Sequence, residues 1–281
     1  MTKISPIITK IWDFLIQREI WKKSYVWLLL LLFYIPIFTG SVFAFNAPSK
    51  KGFISSTWNK FSLQAFYDLS NEGFGNALVN TIIIALVTAF VVVSLSLITV
   101  FALWRQKSKT AKSYVSLTSN VPLINPDVIT AVAMATILTS MFGVLAATSE
   151  GLARAIVSHI VMTLPYGILL LHPRSEKFPL TLFEAAQDLG YSKLQAWFLV
   201  YLKYMMPAIT STLVVVIFLS FDDFILTKIT SNTQTVGTLL YQGTFKTWAL
   251  LLGTFMLFFV VVGNIIWIYL KTKKDKKWTQ K

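Results

Sequence analysis

The chain has 281 residues and a net charge of +13, yet only 13% of its residues are charged and 55% are hydrophobic. Soluble domains carry about 25% charged residues, so an ordinary soluble enzyme is excluded, and so is disorder, which needs low hydrophobicity. The absence of cysteine excludes disulfides, thiolate-bound zinc, iron–sulfur clusters and thiol nucleophiles.

The apolar residues come in long runs. In chain order these are residues 25–45, 77–104, 128–148, 155–171, 207–221 and 248–270, none of which contains Asp, Glu, Lys or Arg. A helix needs about 20 such residues to cross about 30 Å of hydrocarbon. Lipid satisfies no backbone polar group, so only helices and closed barrels cross it. These runs lack the period-two alternation of barrel strands. The pattern predicts an all-α polytopic membrane protein of one domain, 1–281, with six transmembrane helices at 25–45, 77–104, 128–148, 155–171, 207–227 and 248–270. Lys22, Lys23 and Ala44 give the first run some likeness to a signal peptide, but its length is that of a span. Pro36 inside it is tolerable in a membrane helix and predicts a kink.

Basic residues orient such a protein, because they concentrate in short cytoplasmic loops. One side holds nineteen of the 25 Lys and Arg residues, in the N-terminal tail (Lys3 to Lys23), the second-to-third connection (Arg105 to Lys112), the fourth-to-fifth connection (Arg174 to Lys203) and the C-terminal tail (Lys271 to Lys281). The other side holds Lys50, Lys51, Lys60, Arg154, Lys228 and Lys246. Both termini are therefore expected in the cytoplasm, facing anionic lipid of the bilayer. With the charge so distributed, no basic surface is left for nucleic acid. The longest external loop, residues 46–76, interleaves Trp58, Phe61, Phe66, Tyr67 and Phe74 with polar residues. It reads either as an interfacial aromatic belt or as a docking surface for an external partner.

No catalytic constellation is visible. His159 and His172 are the only histidines, without metal-ligand spacing, and there is no nucleophile elbow or phosphate-binding loop. The chain is not expected to be an enzyme or to hold a cofactor or metal. His159, alone within the fourth run, reads as a packed, hydrogen-bonded residue.

The connection between the fourth and fifth runs, residues 178–206, is the most informative segment. Residues 182–189 suit a short helix with Thr181 as cap, Gly190 as its stop and a second helix from Ser192. Leu182, Phe183, Ala186 and Leu189 fall on one face at i, i+3, i+4 spacing. Periodicity alone admits either a knob for a soluble partner or a helix lying on lipid.

Glu184-Ala185-Ala186, then Gly190 three residues on, then hydrophobics and Pro207, resembles the EAA loop of ABC importer permeases. Lys203 stands where that pattern has its first proline. The stretches 125–129, 157–166 and 219–224 make the chain similar to permeases of spermidine/putrescine importers, the PotC type. The resemblance implies the type I ABC importer permease fold. It implies a coupling helix that docks into an ATPase, with Glu184, Ala186 and Gly190 carried over and Ala185 and Leu189 completing the set. It also implies two ATPase subunits that bind ATP and Mg, a homologous second permease and an external polyamine-binding protein.

Three acidic residues flank the apolar runs: Asp127, Asp222 and Asp223. A charge in hydrocarbon costs at least about 2.5–3.5 kcal/mol, so such residues usually face a protein interior or a watery path. A path for polycations needs carboxylates and aromatic faces, which Tyr166, Phe221, Phe224 and Tyr241 would supply. The structural alternatives are a solvated cap for Asp222 and Asp223, with Lys228 near enough to neutralise one of them, and a helix N-cap for Asp127. Other readings remain open: an importer of another substrate class, or a channel or carrier that works without ATP.

Overall fold

The computed structural model describes residues 19–279 apart from 107, 111, 114, 116, 118, 119, 121–126, 144–147 and 244, with side chains described except at 19–24, 148–150, 260, 264, 267, 268 and 270–279. Lys3, Lys10, Arg18, Pro122, Asn125 and Pro126 lie outside the described residues. Among the described residues the chain is helical, with two isolated bridges and no strand. Contacts divide it into two units, Met1–Glu72 with Gly243–Lys281, and Gly73–Gln242.

The first unit contains α1 (Glu19–Phe43), α2 (Gln64–Asn71) and α11 (Thr247–Thr279), with α11 packed on both others. Helix α1 continues through Pro36, and its apolar side chains from Tyr25 to Phe38 are exposed. That is the arrangement of a helix whose neighbour is lipid or another chain. In the loop between α1 and α2, Asn46 is buried. Its amide donates to the Thr57 carbonyl at 2.8 Å and accepts from the Asn59 N–H at 2.9 Å. Phe45 stacks on Phe61 at 5.9 Å, and Phe66 meets Phe255 at 5.5 Å. Trp58, Phe61 and Tyr67 remain exposed.

The second unit is built on α3 (Phe74–Arg105), α5 (Thr148–Glu176) and α8 (Leu202–Asp222). α3 lies along α5, and α8 packs on both. Shorter elements complete it: α4 (Asp127–Phe142), α6 (Leu180–Asp188), α7 (Lys193–Ala196), a single π turn at Trp197–Tyr201, α9 (Ile225–Thr230) and α10 (Val236–Gln242). Ser175 near the end of α5 donates to the Val100 carbonyl near the end of α3, so the two run parallel. The connection from α5 to α8 therefore lies at one end of the bundle. α9 and α10 lie at the other, where Val236 N–H donates to Thr81 near the start of α3 at 2.9 Å.

Among the described residues, four helical stretches are long and apolar enough to span a membrane: Tyr25–Phe43, Phe74–Arg105, Gly151–Glu176 and Lys193–Asp222. The protein is an integral membrane protein. The run at 128–148 divides differently from the expected span. α4 ends at Phe142, Gly143 has φ +76°, and Thr148 already belongs to α5. Arg154 is buried, and its guanidinium donates to the Gly143 carbonyl at 2.9 Å, satisfying an end that helical bonds leave open. The sixth run lies wholly within α11. The fifth helix ends at Asp222 rather than 227, and residues 225–230 form the separate α9.

α3 and α5 approach closely at Gly167. A Cβ there would overlap Ser96 Oγ and lie 2.8 Å from Val92 Cγ1. Gly167→Ala is expected to lower stability by about 1–3 kcal/mol through overpacking. Thermal unfolding in detergent checks this. Gly253→Ala is the control, since a Cβ there meets nothing within 4 Å.

Candidate functional site

Two groups of residues sit at opposite ends of the α3–α5–α8 bundle. At the first end, Pro179 precedes α6 and no side chain caps it, so the helix begins at Leu180 and Thr181 is not its cap. Phe183 and Ala186 are buried, whereas Leu182 is 46% and Leu189 80% exposed. The expected four-residue apolar face is thus divided. Phe183 lies against Phe101 and Trp104, each at 5.8 Å, and draws its own side of the helix inward. Leu182 is one step of about 100° round, and Leu189 lies beyond the last helical turn. Leu180, Leu182, Leu189 and Leu194 form an exposed apolar set around exposed Glu184 and Ala185.

Helix α6 ends in a Schellman motif. Gly190 N–H donates to the Gln187 carbonyl at 2.8 Å, and Tyr191 N–H to the Ala186 carbonyl at 3.1 Å. The motif needs a left-handed residue, and Gly190 has φ +88°. Ser192 then caps α7, with Gln195 returning the bond to the Ser192 N–H at 2.9 Å. The π turn carries on directly into α8, so Lys203 sits in continuous helix.

This hairpin is tied to the bundle by polar and aromatic contacts together. Trp104 Nε1 donates to the Phe178 carbonyl at 3.0 Å, and Ser175 and Tyr201 share a hydroxyl bond of 2.7 Å. Arg174 donates through Nε to the Tyr204 carbonyl at 2.8 Å, with its guanidinium 4.7 Å above the Tyr204 ring. Phe183, Ala186, Tyr201 and Met205 share one core with Val93, Leu97, Val100 and Leu171. α6 is therefore packed into the same core as α3, α5 and α8.

At the other end the chain breaks between α8 and α9. Asp222 closes α8 and is exposed. Asp223 turns inward, its carboxylate only 7% exposed. Oδ1 accepts from Leu226 N–H at 3.3 Å, and Oδ2 from Thr227 N–H at 3.1 Å and Thr227 Oγ1 at 3.2 Å. Buried His159 of α5 completes the group, with Nε2 2.9 Å from Thr227 Oγ1 and 3.5 Å from Asp223 Oδ2. Phe224 stacks on Tyr241 of α10, ring centroids 4.6 Å apart. Phe221 and Tyr166 are half-buried.

Asp222, Asp223, Phe224 and Tyr241 thus come together. Tyr166 and Asp127 have no hydrogen bond or ring contact to that group among the described residues. Asp127 is exposed in the first turn of α4. It lies about 24 Å along that helix from the Gly143 anchor, taking 1.5 Å per residue. Asp222 and Asp223 make no ion pair with Lys228 among the described residues.

The chain is 32% identical over 270 residues, 92% of its length, to a protein of Mycoplasma genitalium named spermidine/putrescine transport system permease protein PotC homolog, covering 94% of that relative. It belongs to the family of PotC-type transport permeases. A Mycoplasma pneumoniae PotC homolog is 29% identical over 88% of this chain and 90% of its own. The PotC permease protein of Escherichia coli K12 is 27% identical over 69% of this chain and 70% of its own. A solved bacterial ABC transporter that imports the acidic polysaccharide alginate contains a chain of the same fold, with TM-score 0.65 and 18% identity over 94% of this chain and 98% of that one. The permease matches no family model.

Sequence reasoning missed the inward turn of Asp223 and its bonds to Thr227 and His159. His159 and Thr227 are 68 residues apart and no local spacing joins them. Gly237 was missed as well. A Cβ on it would lie 2.5 Å from the Asp223 carbonyl oxygen, so α10 packs directly on the backbone of the break.

Proposed function

We propose that this permease forms half of the membrane path of an ATP-driven importer for spermidine and putrescine. It crosses the bilayer six times in a single permease domain with both termini cytoplasmic, beside a homologous second permease. Two ATPase subunits, which bind ATP and Mg, dock on the cytoplasmic face. An external binding protein delivers the polyamine. The observation that carries this reading is the short helix α6, which offers Leu182, Glu184, Ala185 and Leu189 outward while Phe183 and Ala186 are locked into the bundle core. A partner gripping the outward face moves the bundle through the inward one. The two conformations then differ in free energy only as far as the ATPase binds them differently.

On the substrate side the roles of the two adjacent carboxylates divide. Asp223 is committed to Leu226, Thr227 and His159, so its role is structural. Asp222 is exposed, next to Phe221 and near the stacked pair Phe224 and Tyr241. It takes an ammonium group of the substrate, with the rings meeting the cation by their faces. Asp127 and Tyr166 are secondary positions along the path.

Labelled-spermidine uptake by proteoliposomes containing all subunits tests both parts. A hydrogen bond to a charged group is worth about 1.5–3 kcal/mol. Asp222→Asn is therefore expected to lower uptake roughly tenfold or more at unchanged assembly. Normal uptake by this variant would remove Asp222 from the path. Absence of uptake by the assembled wild type would remove the polyamine and leave the importer.

A further inference from the structure

We infer that His159 is a positioning residue: with Thr227 and Asp223 it locks the break between α8 and α9, and the lock sets the direction in which Asp222 and Phe224 face the substrate. The inference rests on the proposed role of Asp222 in polyamine import. Its structural part stands without that role.

At the break itself the backbone is held by the Lys228 N–H bond to the Phe224 carbonyl at 2.9 Å, and the rest is left to side chains. Asp223 leaves the helical conformation with ψ 132°, and Phe224, at φ −123°, precedes the first residue of α9. What fixes the angle between the two helices is the Asp223 carboxylate, which accepts from the first N–H groups of α9. That carboxylate is itself held from outside. The Thr227 hydroxyl proton goes to Asp223, which leaves the Thr227 oxygen to accept from Nε2 of His159. A relay of donors therefore runs from α5 through Thr227 to Asp223. The same backbone also meets Gly237 of α10, where there is no room for a Cβ. The break is clamped between α5 and α10. Asp222 and Phe224 are the residues immediately on either side of Asp223, so their directions follow from its placement.

His159 is 1% exposed and cannot reach a ligand without moving. Its effect on transport is therefore indirect. The absence of cysteine from the chain supplies a reporter: Leu226, fully buried in α9, becomes the single thiol of this subunit in the Leu226→Cys variant.

The experiment uses the complete transporter in proteoliposomes, with His159→Ala and His159→Gln each made in the native and the Leu226→Cys backgrounds. Glutamine retains a donor for Thr227, whereas alanine does not. His159→Ala is expected to raise the rate of maleimide labelling at Leu226→Cys at least threefold. It is also expected to raise the apparent KM for spermidine uptake several-fold with a smaller change in maximal rate, and His159→Gln is expected to restore both. Unchanged labelling overturns the lock. Faster labelling with an unchanged KM keeps the lock and overturns positioning of the substrate groups. A fall in maximal rate alone, in proportion to lost assembly, also overturns positioning. If the assembled wild type takes up no spermidine, the polyamine reading fails, and the labelling comparison alone decides whether His159 holds the break.

Discussion

Gly190→Val is expected to abolish spermidine uptake and to release the ATPase from the assembled complex on purification. The argument is conformational, because a Cβ at this position meets nothing within 4 Å. Gly190 has φ +88°. An ordinary side chain in the left-handed region costs roughly 1–2 kcal/mol, and β-branching adds to that. The chain avoids the strain by abandoning the Schellman closure, which frees the Gln187 and Ala186 carbonyls and lets Leu189 and Tyr191 swing away from their positions. The outward face of α6 then loses the shape that a partner's groove requires. Gly190→Asn, which tolerates the left-handed region better, is expected to retain most of the docking. Co-purification of the ATPase, measured beside uptake, separates lost coupling from lost folding. Intact docking and uptake in Gly190→Val would overturn the coupling role of this hairpin.

Asp223→Ala is expected to be the most destabilising single change at the other end. It leaves the N–H groups of Leu226 and Thr227 and the hydroxyl of Thr227 without their acceptor, in a place where water has little access. A buried group left unsatisfied costs about 1–3 kcal/mol. The total is expected to reach about 3–5 kcal/mol, comparable with the loss of one partner from a buried pair. Thermal unfolding in detergent, with the yield of assembled transporter beside it, checks this. Asp223→Asn keeps an oxygen acceptor and is expected to lose less than half as much. Asp222→Asn, at an exposed carboxylate, is expected to leave stability within about 0.5 kcal/mol of wild type while lowering uptake. The opposite pattern would exchange the roles of the two neighbours.

The contrast between these two aspartates shows where linear reasoning stops. Both stand at the end of an apolar run, both carry the same charge, and nothing in their spacing separates them. Their difference is made by His159 and Thr227, which approach from α5 and α9. Similarly, Leu182 and Phe183 are equivalent in hydropathy. The core that Phe183 enters, with the rings of Phe101 and Trp104 against it, decides that it is inside and Leu182 outside. Arg154 was legible as a charge near a span but not as a donor to the end of α4, because its carbonyl partner Gly143 lies just past that helix, 11 residues back along the chain.

Features that depend on local composition and short-range periodicity were legible along the chain. These are the all-helical membrane character, the stop at Gly190, the start of a second helix at Ser192 and the membership of a transport-permease family. Long apolar runs leave a chain in lipid few alternatives, and a glycine after a short amphipathic segment has its conformation set within one turn. The tertiary structure alone decided which carboxylate is committed and which is accessible, which face of α6 is buried, and where the third run divides. These outcomes depend on donors and rings supplied by residues tens of positions away, whose approach is set by how α3, α5 and α8 pack rather than by any pattern along the chain.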